Sequence, residues 1–359
     1  MRYLKSMFSS KNRARTISFL MVIVFYAIIQ SAIATRSISS LMKGMMVPLC
    51  AYVIAALALN LVVGILGDLS LGQAGFMSVG GYFGATVATL ALQHVNNELL
   101  VLLIAVLAGA LIAAVFGVII GVPILKLQGD YLAIVTLAFG EIVKTIVSNI
   151  YLGFDENGLQ FAFVNDTTRL SSTGTMIING PIGLSGNARI STFTIGIVLV
   201  LLTLIIIYNL MYSRQGRAVM AVRDNRIAAL SVGVDVSKYK LMAFVVSAAL
   251  AGAAGAFYCM NYSTVSPAKF DFNTSIMILV YVVLGGLGNM NGTIIATAVL
   301  LILPEQLREF KDYRMVIYAI ILIAMMIITN NQKCRNVLEK IKDGIAKIFR
   351  RKKGAADHE

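Results

Sequence analysis

Long apolar runs separated by short polar segments dominate the chain. Most runs reach the roughly 18 residues that an α-helix needs to cross a lipid bilayer. Inside lipid every backbone N–H and C=O needs a partner within the protein, and the apolar–polar alternation of membrane-spanning strands is absent. The pattern predicts an all-α fold, a polytopic transmembrane helix bundle. The predicted spans cover residues 16–34, 45–67, 71–92, 99–125, 131–154, 192–212, 241–260, 276–303 and 314–328.

The run 276–303 is long enough for one span, but Gly285, Gly286 and Gly288 favour a break within it. Lys and Arg concentrate on the cytoplasmic side of membrane proteins, which places both chain ends and the loop 213–240 in the cytoplasm. With that topology, the run 276–303 must leave and return to the same side. We therefore predict two short segments joined at the glycines, and about ten segments in total.

The net charge of +13 is concentrated at the two ends of the chain and in the loop 213–240. This placement indicates membrane topology and contact with anionic lipid, and it argues against nucleic acid as a partner. It predicts a basic cytoplasmic arm (1–15), a transmembrane domain (16–329) and a basic cytoplasmic tail (330–359). The apolar spacing in the tail is typical of an amphipathic helix on the inner leaflet, and a disordered charged tail is the alternative.

Residues for catalysis or for holding a cofactor are not apparent in the sequence. No nucleophile, base and acid set stands out, and the cysteines and histidines lack metal-site spacing. No G-x-x-x-x-G-K-[ST] phosphate loop occurs. We therefore predict that the chain is not an enzyme and holds no metal or cofactor of its own. If ATP drives transport, another chain supplies the ATPase.

Two charges lie inside the predicted span 131–154. Glu141 and Lys144 are one helical turn apart, so they can pair. Charged side chains at that depth usually face the bundle or a water path. The pair has either a role in a translocation pathway or gate, or only the role of an ion pair that stabilises the bundle.

Glycine and other small residues mark sites where helices break or approach closely. We predict helix breaks at Gly72 and Gly75, which follow Asp68 between the second and third spans. Small residues four positions apart let helix backbones pack closely in lipid. These pairs are Gly80 and Gly84, Gly117 and Gly121, and Ala248 and Gly252.

The polar, basic loop 213–240 contains the pattern of a short amphipathic helix. Ile227, Leu230 and Ser231 share one side of the stretch 225–232, and Gly233 suits a helix C-terminus. A helix of this kind outside the membrane either binds a partner protein or lies on the lipid surface.

Several motifs, in order along residues 51–329, resemble the M-type permease subunits of branched-chain amino acid ABC transporters. The combination is specific, although no single motif is. The motifs cover residues 60–64, 69–76, 129–142, 179–184 and 283–288.

This resemblance implies a type II ABC importer-like bundle in a bacterial plasma membrane. It implies a second, homologous H-type permease, two cytoplasmic ATP-binding subunits that hold ATP and magnesium, and an extracytoplasmic binding protein that delivers leucine, isoleucine or valine. Other solutes such as urea, amides, other amino acids or a sugar remain open. The alternatives from other classes are a channel and an ion-coupled secondary transporter, in which Glu141 and Lys144 would be the coupling groups.

The resemblance also assigns a role to the loop 213–240. Ala228, Ala229 and Gly233 match the coupling-loop pattern of ABC importers, whereas Ile227 stands where many importers carry Glu. This implies that the loop seats on the ATPase, with nearby charged residues orienting it. Those residues are Arg217, Arg223, Asp224 and Arg226. The outer loop 155–190 is predicted either to contact the binding protein or to be a solvated loop.

Overall fold

The computed structural model describes residues 13–35, 40–92, 95, 97–124, 129–155, 158–164, 174–307, 313, 316–317 and 319–323. The predicted tail 330–359, nearly all of the arm 1–15 and much of the predicted span 314–328 lie outside the described residues.

Eleven α-helices are formed within these ranges. Seven of them are long and apolar enough to cross a membrane, by length and composition, which confirms the predicted polytopic helical fold. The helices are α1 Arg13–Ala34, α2 Ser40–Asn60, α3 Gln73–Ala91, α4 Glu98–Ile124, α5 Asp130–Ser148, α6 Phe193–Tyr212, α7 Arg214–Asp224, α8 Arg226–Ser231, α9 Val236–Cys259, α10 Phe272–Gly285 and α11 Met290–Gln306.

The chain divides into two compact units, residues 1–298 and 299–359. In the second unit, the described residues are the end of α11, Leu307 and Tyr313, and a few helical residues between positions 316 and 323.

The centre of the first unit is α9, which packs against α2, α3 and α4. Small residues set these spacings. A Cβ added to Gly80 would lie 2.3 Å from the Cα of Gly252, and one added to Gly117 would lie 2.8 Å from the Cβ of Ala248. Close packing drives helix association in lipid, because lipid chains are as apolar as the side chains. The predicted close approach at these positions is confirmed.

Helix α2 continues into a π-helix, Leu61–Leu66, whose six residues are all buried. The segment ends at Gly67, whose φ of +85° lies in the left-handed region that favours glycine. Insertions of this kind are rare and occur frequently at functional sites. The sequence pattern predicted one uninterrupted span over residues 45–67 and gave no sign of the change in helix type.

The predicted break in the run 276–303 is present. Helix α10 has 14 residues and α11 has 17, so each is shorter than a standard membrane span of about 20 residues. Gly286 and Gly288 have φ of +92° and +78° in the connecting turn. A Cβ on Gly292 would lie 1.8 Å from the carbonyl oxygen of Gly285, so this close approach requires glycine.

A small antiparallel sheet between α5 and α6 corrects two expectations. The fifth span was predicted to reach residue 154 and the next segment to be a loop, but α5 ends at Ser148. Strands β1 Ile150–Asp155, β2 Gly158–Phe163, β3 Thr175–Asn179 and β4 Gly183–Leu184 follow, in the order β2-β1-β3-β4. Isolated strands of five or six residues with mixed polarity resemble the end of a helix or a loop, and their pairing partners stabilise them.

Candidate functional site

The loop 213–240 folds into two helices that we call the coupling unit, α7 and α8. Each begins at a polar N-cap: the Ser213 hydroxyl accepts from the Gly216 N–H at 3.0 Å, and the Asn225 side chain accepts from the Ala228 N–H at 3.0 Å. Such caps satisfy orphan N–H groups of the first turn. The sequence predicted only the second helix, because α7 has no long apolar run.

Gly233 ends α8 as predicted. Its φ is +81°, and its N–H donates to the carbonyl of Leu230 at 3.0 Å. The N–H of Val234 donates to the carbonyl of Ala229 at 3.0 Å, so the last turn of the helix is closed by backbone bonds. This geometry fixes the direction in which the chain leaves α8 and enters α9.

The coupling unit has a small apolar interior and an exposed apolar edge. Val222 of α7 and Ala229 of α8 are buried together with Val236, the first residue of α9. Ala228 is exposed, and three large side chains face outward on and just after α8. They are Ile227, Leu230 and Val232, which are 80%, 52% and 77% exposed. An exposed apolar edge on a short helix is typical of a surface that another molecule covers.

One charged residue of the coupling unit reaches into the membrane domain. Arg223 Nη1 donates to the carbonyl oxygen of Gly64, in the π-helix, at 3.0 Å, while its Nε and Nη2 donate to Asp224 Oδ1 at 3.1 and 3.0 Å. Its stem lies over Gly67, where an added Cβ would lie 2.6 Å from Arg223 Cγ. The predicted coupling residues therefore differ in what they contact. Arg223 is the one that joins α7 to the membrane-spanning helices.

The other predicted charged positions make local contacts or remain at the surface. Arg217 donates to the carbonyl of Tyr212 at 3.1 Å, close by in the chain. Arg226 is half-buried at the start of α8.

A polar seam connects the π-helix to the break between α10 and α11. Asn60 is fully buried; its Oδ1 accepts from the N–H of Gly288 at 2.8 Å, and its Nδ2 donates to the Thr293 hydroxyl at 2.8 Å. Gly64 lies against the same turn, since its added Cβ would be 2.2 Å from the Gly288 nitrogen. Arg223 and the Gly288 turn thus both contact the same π-helical residue, Gly64.

A second link joins the start of α9 to the turn after the π-helix. Lys240 Nζ donates to both carboxylate oxygens of Asp68, at 2.7 and 2.6 Å. The two side chains are only 11% and 16% exposed. A pair with this little solvent contact holds its partners in a fixed position, because either charge alone would be costly to bury.

The predicted glycine breaks have different roles. Gly72 precedes α3 and lies against the Thr136 carbonyl, with an added Cβ at 2.7 Å. Gly75 lies inside the first turn of α3, where it packs against Gly140 of α5, so the prediction that it breaks a helix is wrong. Gly285 is the last residue of α10 and begins the real break.

The predicted charge pair lies on α5 and contacts the start of α10. Lys144 Nζ donates to Glu141 Oε2 at 3.0 Å, and Glu141 Oε1 accepts from the N–H of Phe272 at 3.0 Å. The side chains remain 38% exposed for Glu141 and 30% for Lys144. The carboxylate thus satisfies a first-turn N–H of a neighbouring helix, and a role in a translocation path stays a prediction.

Asp271 caps the same helix start. Burial raises the pKa of its carboxyl group. Hydrogen bonds from the Thr274 backbone and from the Thr274 and Asn273 side chains lower it, as does the charge of Lys144, and together they hold the pKa below its usual value. The start of α10 is therefore held by a carboxylate of its own and by one from α5. Within the described residues, no three metal-ligating side chains come together.

Long apolar helices, a broken segment and an external two-helix unit define a multi-pass membrane protein. Residues 41–329 match the family described as branched-chain amino acid transport system / permease component. The chain belongs to this family, which is one of transport permeases and not of enzymes.

Similar proteins agree with this assignment. The high-affinity branched-chain amino acid transport system permease protein LivM of Escherichia coli is 36% identical over 286 residues, which is 77% of this chain and 66% of that protein. The chain thus spans just under two thirds of that relative. A probable LivM of Methanocaldococcus jannaschii is 26% identical, with 72% and 79% covered. The fructose import permease FruG of Bifidobacterium longum is 24% identical, with 65% and 67% covered. No solved structure gives a significant match.

The sequence missed the contacts that connect these parts. Nothing in the pattern joins Arg223 to Gly64 or Lys240 to Asp68, because the residues are 159 and 172 positions apart. A signal does exist for Asn60, which is an amide in an otherwise apolar run and needs a buried partner.

Proposed function

We propose that this chain is the membrane-spanning permease subunit of an ATP-driven importer for branched-chain amino acids. One observation carries the proposal: the coupling unit stands outside the apolar helices, yet Arg223 and Lys240 tie it and the start of α9 to the π-helix and the turn after it. A motion of the unit therefore reaches the helices directly.

The proposed assembly contains a second, homologous permease, two cytoplasmic ATP-binding subunits that hold ATP and magnesium, and an extracytoplasmic binding protein. The exposed edge of α8 seats on one ATPase. When ATP binding closes the ATPases, the seat moves, and Arg223 passes the motion to the carbonyl of Gly64. The polar seam through Asn60 then carries it to the turn between α10 and α11.

The proposed orientation follows from the positions of these parts along the chain. The coupling unit and both chain ends lie in the cytoplasm, because basic residues concentrate there. Helix α6 has 20 residues, which is about 30 Å of helix, enough to cross the bilayer. The sheet before α6 therefore lies on the extracytoplasmic side. That its surroundings contact the binding protein stays a prediction.

Reconstitution tests the proposal. We expect proteoliposomes that contain this chain, its partner permease and both ATPases to take up labelled leucine only with the binding protein and ATP. An ATPase subunit altered in its phosphate loop should abolish uptake, since no such loop occurs in this chain. Uptake driven by an ion gradient without the ATPases would instead establish a secondary transporter.

The similarity to FruG favours one alternative within the same class, an importer of a sugar or another small solute. In ATP-driven importers of this kind the binding protein can set the specificity, so the same reconstituted system distinguishes the solutes. Ligand binding to the cognate binding protein, measured for leucine, isoleucine, valine and fructose, decides between them.

Gly233 provides a test of the coupling unit. We expect Gly233→Val to lower ATP-driven uptake while the protein remains in the membrane, because a β-branched residue is strained at a φ of +81°. No atom lies within 4 Å of an added Cβ, so the strain comes from the backbone and not from a clash. Gly233→Asn is the matched control, since asparagine adopts the left-handed conformation more readily. Equal, normal uptake and substrate-stimulated ATPase activity in both variants would count against the role.

A further inference from the structure

One face of the β1–β2 hairpin is entirely apolar. In an antiparallel pair, directly opposed residues point to the same face of the sheet. At every second position, an apolar residue of β1 lies directly opposite an apolar residue of β2. These pairs are Ile150 with Phe163, Leu152 with Phe161 and Phe154 with Leu159. The face therefore carries six apolar side chains and no polar one.

This apolar face points outward. Leu159, Phe161 and Phe163 are 56%, 65% and 54% exposed. On the opposite face of the same strands, Gly153 and Ala162 are buried. An amphipathic hairpin normally turns its apolar side toward the protein core, so the reversed arrangement indicates that another molecule covers the exposed face.

The apolar face continues onto α5. Phe163 lines a cleft of about 310 Å³ together with Ile142, Ile146, Glu141 and Thr145 of that helix and with Asn149 just after it. Ile142 and Ile146 are 57% and 43% exposed. The hairpin face and the outer half of α5 therefore form one surface, which runs from the membrane-spanning region onto the sheet.

The charges on this surface decide what covers it. Glu141 and Lys144 are 38% and 30% exposed beside the cleft. Charged side chains on membrane helices face protein or water and not lipid, so acyl chains do not cover this part of α5. A reversibly docking soluble protein fits the hairpin poorly, because such interfaces are only about as apolar as an average protein surface. An apolar face beside a partly exposed ion pair that lipid does not cover fits a permanent subunit interface.

We infer that the β1–β2 hairpin and the adjoining face of α5 form the contact with the second permease subunit. This inference rests on the proposed function, which calls for a homologous second permease, and adds where the two chains meet. The apolar hairpin face packs on an apolar surface of that subunit. The same contact covers the cleft at Glu141. The Glu141–Lys144 ion pair then lies at the edge of the interface between the two permeases.

Site-specific photocrosslinking tests the inference in the complete transporter complex. A benzophenone amino acid is placed at Phe161 and, as the control, at Ile182. Ile182 is also apolar, 55% exposed and part of the same sheet region, but lies outside the hairpin. We expect irradiation to join position 161 to the second permease and to give no such product at position 182.

A charged substitution gives an independent measurement. We expect Phe161→Asp to lower the amount of second permease that copurifies with this chain at least about tenfold, because burying an unpaired carboxylate in an apolar contact is costly. Ile182→Asp should leave copurification unchanged.

The other products of photocrosslinking overturn the inference. An adduct at position 161 with phospholipid, with the binding protein or with a second copy of this chain would each contradict it, as would no adduct at all. ATP-driven leucine uptake measured in the same membranes shows whether the hairpin contact or the proposed function has failed. Normal uptake with one of those results rejects only the hairpin contact, whereas absent uptake in the unmodified complex rejects the proposed function.

Discussion

Replacing Arg223 by glutamine is expected to lower ATP-driven uptake about tenfold, because a hydrogen bond from a charged donor to a buried carbonyl is worth roughly 2 kcal/mol. Glutamine is too short to reach the carbonyl of Gly64, which Arg223 contacts at 3.0 Å. The coupling unit keeps its fold, since Val222 and Ala229 still pack against each other and against Val236 at the start of α9. Docking of the ATPase should therefore persist while the motion no longer reaches the π-helix.

Two activities measured on one preparation separate this effect from misfolding. We expect basal ATPase activity of the R223Q complex to be retained and its stimulation by the loaded binding protein to be lost with uptake. Arg214→Gln is the matched control, because Arg214 is an exposed arginine on the same helix. Full stimulation and uptake in R223Q would show that the Gly64 contact does not transmit the motion.

Replacing Lys240 by methionine is expected to destabilise the protein by about 3 kcal/mol, because it leaves the Asp68 carboxylate nearly buried without its partner. In detergent this corresponds to a Tm lower by roughly 5–10 °C. Lys238→Met, at an exposed lysine two positions earlier, is expected to shift stability by no more than about 0.5 kcal/mol.

The double variant Asp68→Asn with Lys240→Met shows whether the stability lost in K240M comes from the unpaired charge or from the changed side-chain shape. Removing both charges of a buried pair costs much less than removing one, so we expect the double variant to recover at least half of the lost Tm. The measurement is thermal unfolding, followed by one probe, of the unmodified protein, the two single variants D68N and K240M, and the double variant. A double variant as unstable as K240M would mean that Lys240 acts by packing alone.

Local signals predicted the helical elements well. The length of each apolar run marks a helix because a membrane span needs a fixed number of apolar residues. Gly233 and the Gly285–Gly288 turn were predictable because a positive φ favours glycine whatever surrounds it. The small residues on α3, α4 and α9 also predicted close packing, since only such residues let helix backbones approach.

Features that depend on partners far along the chain were not predictable. The strands of the sheet, Ile150–Asp155 among them, resemble the end of a span until their neighbours pair with them. Gly75 resembles a helix breaker in the sequence, but its position opposite Gly140 gives it a packing role. The π-helix Leu61–Leu66 has the same apolar composition as the α-helix before it, so composition cannot distinguish the two.

The sequence by itself determined the long apolar helices, the broken segment and the existence of a short amphipathic helix in the loop 213–240, because run length, caps and glycine conformation are local properties. Only the tertiary structure decided which residues connect these parts. Arg223 with Gly64, Lys240 with Asp68, and Asn60 with Gly288 each join residues more than 150 positions apart. The physical reason is that a buried carbonyl, amide or charge must find a partner, and packing of the helices decides which one lies within reach.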